Sequence, residues 1–165
     1  MKSRILSIAF CFIGLSTVAQ TQPEPPYKRF PTVPPLKLLL IDSTTIFTDK
    51  DLKKNKPLFL ILFSPDCEHC QKGTEELIER IDSFKNIQIV MATFMTVDKI
   101  KPFYENYKLD RFANIVVGYD MQHMLATYYR ISYTPFLAFY DKKGNLIDGF
   151  QGALPLGKVL EYFKE

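Results

Sequence analysis

Apolar positions along the chain alternate between two periods. Pro57-Leu-Phe-Leu-Ile-Leu-Phe63 is continuously apolar, the pattern of a strand covered on both faces, with Pro57 admissible only as its first residue. Leu36 to Ile41 is a shorter apolar run that predicts an edge strand, and Ile87-Gln-Ile-Val-Met-Ala-Thr-Phe94 predicts a second buried strand. From Glu75 the period lengthens, and Leu77, Ile78, Ile81 and Phe84 share one helical face. Asp98 is placed to cap a helix with Ile100, Phe103, Tyr104 and Tyr107 on one side, Pro102 being tolerable in its first turn. Asp120 likewise precedes Met121, Met124, Leu125 and Tyr128 at helical spacing. Phe136 to Tyr140, the turn Asp141-Lys-Lys-Gly144 and Asn145 to Gln151 predict a β-hairpin. Leu156, Val159, Leu160 and Phe163 predict a closing amphipathic helix. Strands alternating with helices and ending in a hairpin and a helix predict an α/β fold, a central mixed β-sheet flanked by helices on both faces.

The N-terminus follows a different logic. Lys2 and Arg4 precede an apolar run from Ile5 to Ala19, and Thr17-Val18-Ala19 places small residues where a signal peptidase reads them. As a helix that run reaches only about 22 Å, short of a hydrocarbon core about 30 Å thick, so residues 1–19 are read as a cleaved export signal. Cys11 lies inside the apolar run behind Phe10, a poor setting for lipid attachment. Membrane association is therefore expected only through an uncleaved or lipidated N-terminus. Six of the eleven prolines fall between Pro23 and Pro35. Prolines lack a backbone donor and favour extended conformation, so residues 20–35 are expected to form a spacer, with the folded domain spanning residues 36–165.

Composition narrows the function. With 165 residues, 47% of them hydrophobic, the chain has the material for one globular domain with a real core. The formal net charge of +3 falls to +1 without Lys2 and Arg4, too little to call for nucleic acid. Of three cysteines, Cys11 leaves with the signal, so a single pair remains in an oxidising compartment.

That pair carries the chemistry. Cys67-Glu68-His69-Cys70 follows a buried strand and opens a helix. A helix N-terminus offers partial positive charge and free N–H groups, which favour the thiolate of the first cysteine. Cys67 is thus the attacking sulfur and Cys70, one turn deeper, the resolving one. His69, if protonated, supports the thiolate, whereas Glu68 opposes it. An inert disulfide across so short a loop would gain little entropy, and no second pair exists to complete a zinc site.

Phe63-Ser-Pro-Asp-Cys-Glu-His-Cys70 after a buried strand, with Tyr133-Thr134-Pro135 before the hairpin, resembles the thioredoxin superfamily, and within it the TlpA/ResA-like branch of exported thiol-disulfide oxidoreductases. The resemblance covers about Leu36 to Glu165. It implies a thioredoxin-like fold, a cis peptide at Pro135, and pairing of the Thr134 backbone with substrate. It also implies protein thiols or disulfides as partners, an upstream thiol electron donor, no cofactor, and work as a reductase in a bacterial periplasm. Three positions depart from the pattern. Asp66 replaces the usual Trp before the first cysteine and is placed to cap the helix; Ile61 stands where ordinary thioredoxin buries an acid; and Ser64 replaces the Thr of peroxidases.

Other residues suggest less. His123, between Met121 and Met124, could join Cys67, Cys70 and His69 in a soft-ligand copper site, which makes a copper-binding or redox-sensing module without turnover the alternative reading. The two methionines are equally suited to a core-facing helix. Lys50, Lys53, Lys54 and Lys56 flank Asp51 as a solvated loop. Taken together, the residues and the resemblance predict an exported thiol-disulfide oxidoreductase with no bound metal.

Overall fold

The computed structural model of the chain describes residues 23–164, so the expected export signal and Cys11 lie outside the described residues. Its scaffold is a seven-stranded mixed sheet in the order β2-β1-β5-β4-β3-β6-β7. The strands are β1 (Lys37–Leu40), β2 (Ile46–Thr48), β3 (Leu58–Leu62), β4 (Gln88–Thr93), β5 (Ile115–Asp120), β6 (Phe136–Tyr140) and β7 (Leu146–Gln151). The helices are α1 (Pro26–Arg29), α2 (Glu68–Glu79), α3 (Val97–Asn106), α4 (Met124–Tyr129) and α5 (Leu156–Glu161).

The unbroken apolar run of β3 is explained by its position. It pairs in parallel with β4 and antiparallel with β6, and all five of its residues are buried. Side chains alternate across the sheet with period two. Phe59 and Ile61 join one core with Leu77 of α2, Ile100 and Phe103 of α3, and Val159 of α5. Leu58, Leu60 and Leu62 join the other core with Tyr27 of α1 and Leu125 and Tyr129 of α4. Helices therefore cover both faces. The parallel steps β3-β4-β5 require crossovers, which α2 and α3 supply.

Several boundaries differ from the sequence pattern. The run expected as an edge strand, β1, lies inside the sheet with β2 on one side and β5 on the other. The chain reverses after it because the Asp42 carboxylate accepts the N–H groups of Thr44 and Thr45 at 2.9 and 2.8 Å, which lays β2 along the outer edge. Thr96, not Asp98, occupies the N-cap of α3, its hydroxyl donating to Asp98 at 2.5 Å. Asp120 ends β5 and its buried carboxylate accepts the Leu125 N–H at 2.8 Å, so α4 starts only at Met124.

The proline-rich spacer is the main correction. From Pro25 onward it is a strap docked on the domain. Pro26 opens α1 at a position where a missing N–H costs nothing. Tyr27 is 8% exposed and packs against the rings of Tyr129 and Phe136 at 5.5 and 5.6 Å. Prolines cannot donate, but they accept: the Pro31 carbonyl takes the Leu146 N–H at 2.8 Å, beside a bridge between Thr32 and Asn145. The folded unit thus includes Pro25 to Pro35.

Candidate active site

The two cysteines sit where β3 gives way to α2. After Leu62 the loop turns sharply, the Cys67 N–H donating to Ser64 O at 3.1 Å, and Gln71 Nε2 ties the turn by donating to Pro65 O at 2.7 Å. Cys67 is the N-cap of α2. Its Sγ accepts the Cys70 N–H at 3.3 Å, as a serine or aspartate oxygen would in the same place. Asp66, expected to cap, is exposed and does not: the cap position falls one residue later and the sulfur fills it.

Both cysteines are free thiols, half-buried at Cys67 and only 5% exposed at Cys70. Opposite them a loop closes over the helix start. The Thr134-Pro135 peptide is cis, and the Thr134 carbonyl oxygen lies 3.5 Å from Cys67 Sγ. Gln151 of β7 holds that loop from behind, donating to the carbonyls of Tyr133 and Pro135, while the Gly152 N–H adds a bond to Pro135 O at 2.8 Å.

The environments drive the two thiols apart. Partial burial pushes Cys67 up, but bonds from the Cys70 thiol, the Thr134 side chain and the N–H groups of Cys70 and His69 outweigh it and hold the thiol below its ordinary value. Cys70 is pushed up to about 12, first by burial, then by its bond to Cys67 and the charge on that neighbour. Of the two, Cys67 is the readier to form a thiolate, and Cys70 holds its proton.

A surface groove of about 470 Å³ runs past Cys67, lined by Ser64, Asp66, Phe94, Ile131, Tyr133 and Thr134 among others. Phe94 and Tyr133 are 41% and 60% exposed, apolar surface presented beside Cys67. Of the residues singled out in the sequence, Asp66, Cys67, Glu68, His69, Cys70, Thr134 and Pro135 come together here, with Glu68 and His69 on the exposed side of the first helical turn. Gln71 carries no sequence signal, and Phe94, Gln151 and Tyr133 read only as the end of a strand or as a neighbour of Thr134, since a polar or aromatic residue near an element's end looks like ordinary surface.

His123 is exposed, its ring 3.4 Å from the Tyr119 hydroxyl. Among the described residues no three His, Cys, Asp or Glu side chains gather to hold a metal, so the copper set is not assembled. Met124 packs against the α4-side core instead. Nor is any helix among the described residues long and apolar enough to cross a membrane.

The family model of the thioredoxin-like domain matches residues 48–165. By sequence, no curated protein matches the chain. Among solved structures, DsbF of Mycobacterium tuberculosis aligns with a TM-score of 0.65 at 20% identity, over 77% of this chain and 91% of its own. A secreted disulfide oxidoreductase of the same organism, described as homologous to Escherichia coli DsbE, aligns with a TM-score of 0.63 at 17% identity, over 77% and 92%. The peroxidoxin BcpB, also of Mycobacterium tuberculosis, aligns with a TM-score of 0.67 at 16% identity, over 81% and 94%. Likeness at these identities establishes the shared fold.

Proposed function

The chain belongs to the thioredoxin-like domain family, and from that membership and the unequal ionisation of its two thiols we propose that it exchanges disulfides with protein thiols. The single observation that carries the reading is the pairing of a thiol held low at a helix start with a buried thiol held high one turn deeper. In the reducing direction the Cys67 thiolate attacks one sulfur of a substrate disulfide. That S–S bond breaks, a mixed disulfide forms on Cys67, and one substrate thiolate leaves. Cys70 then attacks Cys67 Sγ, closing the Cys67–Cys70 disulfide and releasing the second substrate thiolate. An upstream thiol donor returns two electrons to the pair. Thr134 and Pro135 present backbone to the incoming chain, and Asp66, Glu68 and His69 tune the sulfur.

Peroxidase chemistry is disfavoured by the sequence, where Ser64 stands in place of the Thr of the Thr-x-x-Cys pattern. Export fits the signal pattern of residues 1–19, and one structural relative is described as secreted. We place the protein in a bacterial periplasm, as a reductase of the TlpA/ResA-like kind.

The test is reduction of insulin by dithiothreitol, followed by precipitation of the freed chains. Wild type accelerates it, Cys67→Ser does not, and Cys70→Ser accumulates a mixed disulfide on Cys67. Wild type no faster than the double Cys67→Ser, Cys70→Ser variant would sink the reading. Direction follows from the equilibrium with glutathione. A reductase poises near the potential of thioredoxin, about −270 mV, whereas an oxidase lies near about −120 mV.

A further inference from the structure

The resolving step needs a base. Cys70 must shed its proton to attack Cys67, yet burial holds that proton on the sulfur. Beside Cys70 lies a small cavity of about 40 Å³, walled by Ile61 of β3, Gly73 and Thr74 of α2, Pro135 and Leu154. Neither β3, nor β6, nor the segment running into α5 brings a charged or titratable side chain to it. Of the residues that line it, only Cys70 and His69 carry titratable side chains. His69 is exposed and flanked on its own helix by Glu68 and Lys72, both exposed as well.

We propose that His69 accepts the Cys70 proton, relayed by one water in this cavity, as Cys70 displaces substrate from Cys67. The proposal rests on the exchange reading above. The volume exceeds the 10–15 Å³ or so that a water requires. Its partners are the Cys70 thiol as donor, an imidazole nitrogen as acceptor, and the Thr74 hydroxyl oxygen, which keeps free lone pairs while donating to Cys70 O at 2.8 Å. In the step, the proton passes from Cys70 Sγ through the water to neutral His69. The Cys70–Cys67 S–S bond forms, the bond from Cys67 to the substrate sulfur breaks, and the electron pair leaves on the substrate thiolate. The imidazolium then releases its proton to solvent from the exposed face. Placing the base on the outside of the cavity lets a core without any carboxylate near Cys70 still deprotonate it.

The test uses 5,5′-dithiobis(2-nitrobenzoate) with the reduced full chain in a stopped-flow instrument. Attack by Cys67 releases a first thionitrobenzoate and attack by Cys70 a second, which Cys70→Ser lacks. In wild type the rate of the second release, taken relative to the first, shows an inflection with pH as the base that serves Cys70 gains a proton. In His69→Gln that inflection disappears, and the second release, taken relative to the first, falls at least about 10-fold. Free imidazole added to the variant restores it. The proposal is overturned if the variant keeps the wild-type profile, if both releases slow by one common factor, or if imidazole restores nothing. In each case a completed second release leaves disulfide exchange standing. A wild type that behaves like Cys70→Ser would instead overturn the exchange reading itself.

Discussion

Replacing Tyr27 with Ala tests whether the proline-rich segment is part of the domain. The side chain is 8% exposed and wedged between the Tyr129 and Phe136 rings, over Gly149, where a Cβ would stand 2.8 Å from Tyr27 Cε2. Emptying a buried aromatic site costs about 3–5 kcal/mol when the surroundings cannot collapse, the two ring contacts being part of that loss. The strap can lift off without opening the sheet, which limits the loss to what its docking contributes. We therefore expect about 2–4 kcal/mol, read as a lower urea midpoint and a melting temperature reduced by about 6–15 °C. Phe30→Ala is the control: its ring is 59% exposed, and the change should stay within about 0.5 kcal/mol. A Tyr27→Ala midpoint indistinguishable from that of Phe30→Ala would return the segment to the status of a free spacer.

Other outcomes follow from the same geometry. Iodoacetamide alkylation of Cys67 in the reduced chain should inflect below the ordinary thiol range, and Cys70→Ala, which removes the S–H donor but keeps the N–H, should shift the inflection upward. An unmoved inflection would show that the Cys70 thiol does not support the thiolate. Because Cys70 titrates higher folded than unfolded, its contribution to stability is complete below the ordinary thiol value of 9.0. It is lost as pH rises toward about 12, so wild type minus Cys70→Ala in urea midpoint should shrink across that window. In β5, a Cβ on Gly118 would meet Leu38 Cβ at 2.8 Å and Leu39 O at 3.2 Å, so Gly118→Ala should cost about 1–3 kcal/mol by overpacking. Gly73, within α2 and with open space around it, should gain about 0.5–1 kcal/mol on the same change.

Where one residue's neighbours in sequence are also its neighbours in space, the chain could be read directly. Leu58 to Leu62 is apolar throughout because both faces are covered, and the hairpin from Phe136 to Gln151 carries its turn residues in order, Gly144 at a φ of +83° closing it. The cysteine pair was legible for the same reason, since a strand, a loop and a helix start are local features. β5 was not, because Ile115-Val-Val-Gly-Tyr-Asp120 is interrupted by a glycine that lets the backbone of β1 approach. The strap is not legible because proline content reports local preference, whereas Tyr27 is held by Tyr129 and Phe136, and Phe30 O accepts the Tyr128 hydroxyl at 2.7 Å, all about 100 residues away. The cap falls one position after Asp66, on Cys67, because the pattern Asp-Cys at a helix start does not say which side chain turns inward.

That capping assignment bears on turnover. In the exchange proposed above, the atom that meets substrate is also the atom that closes the end of α2, because Cys67 Sγ accepts the Cys70 N–H. Each time Cys67 enters a mixed disulfide its negative charge is consumed, and the bond that restrains the first turn weakens. The turn therefore slackens during the interval in which Cys70 has to swing toward its neighbour, and tightens again when an incoming reductant restores the thiolate. Amide hydrogen exchange at Cys70 would then act as a clock hand for the catalytic cycle, slowest in the reduced resting enzyme and fastest in the substrate-bound intermediate.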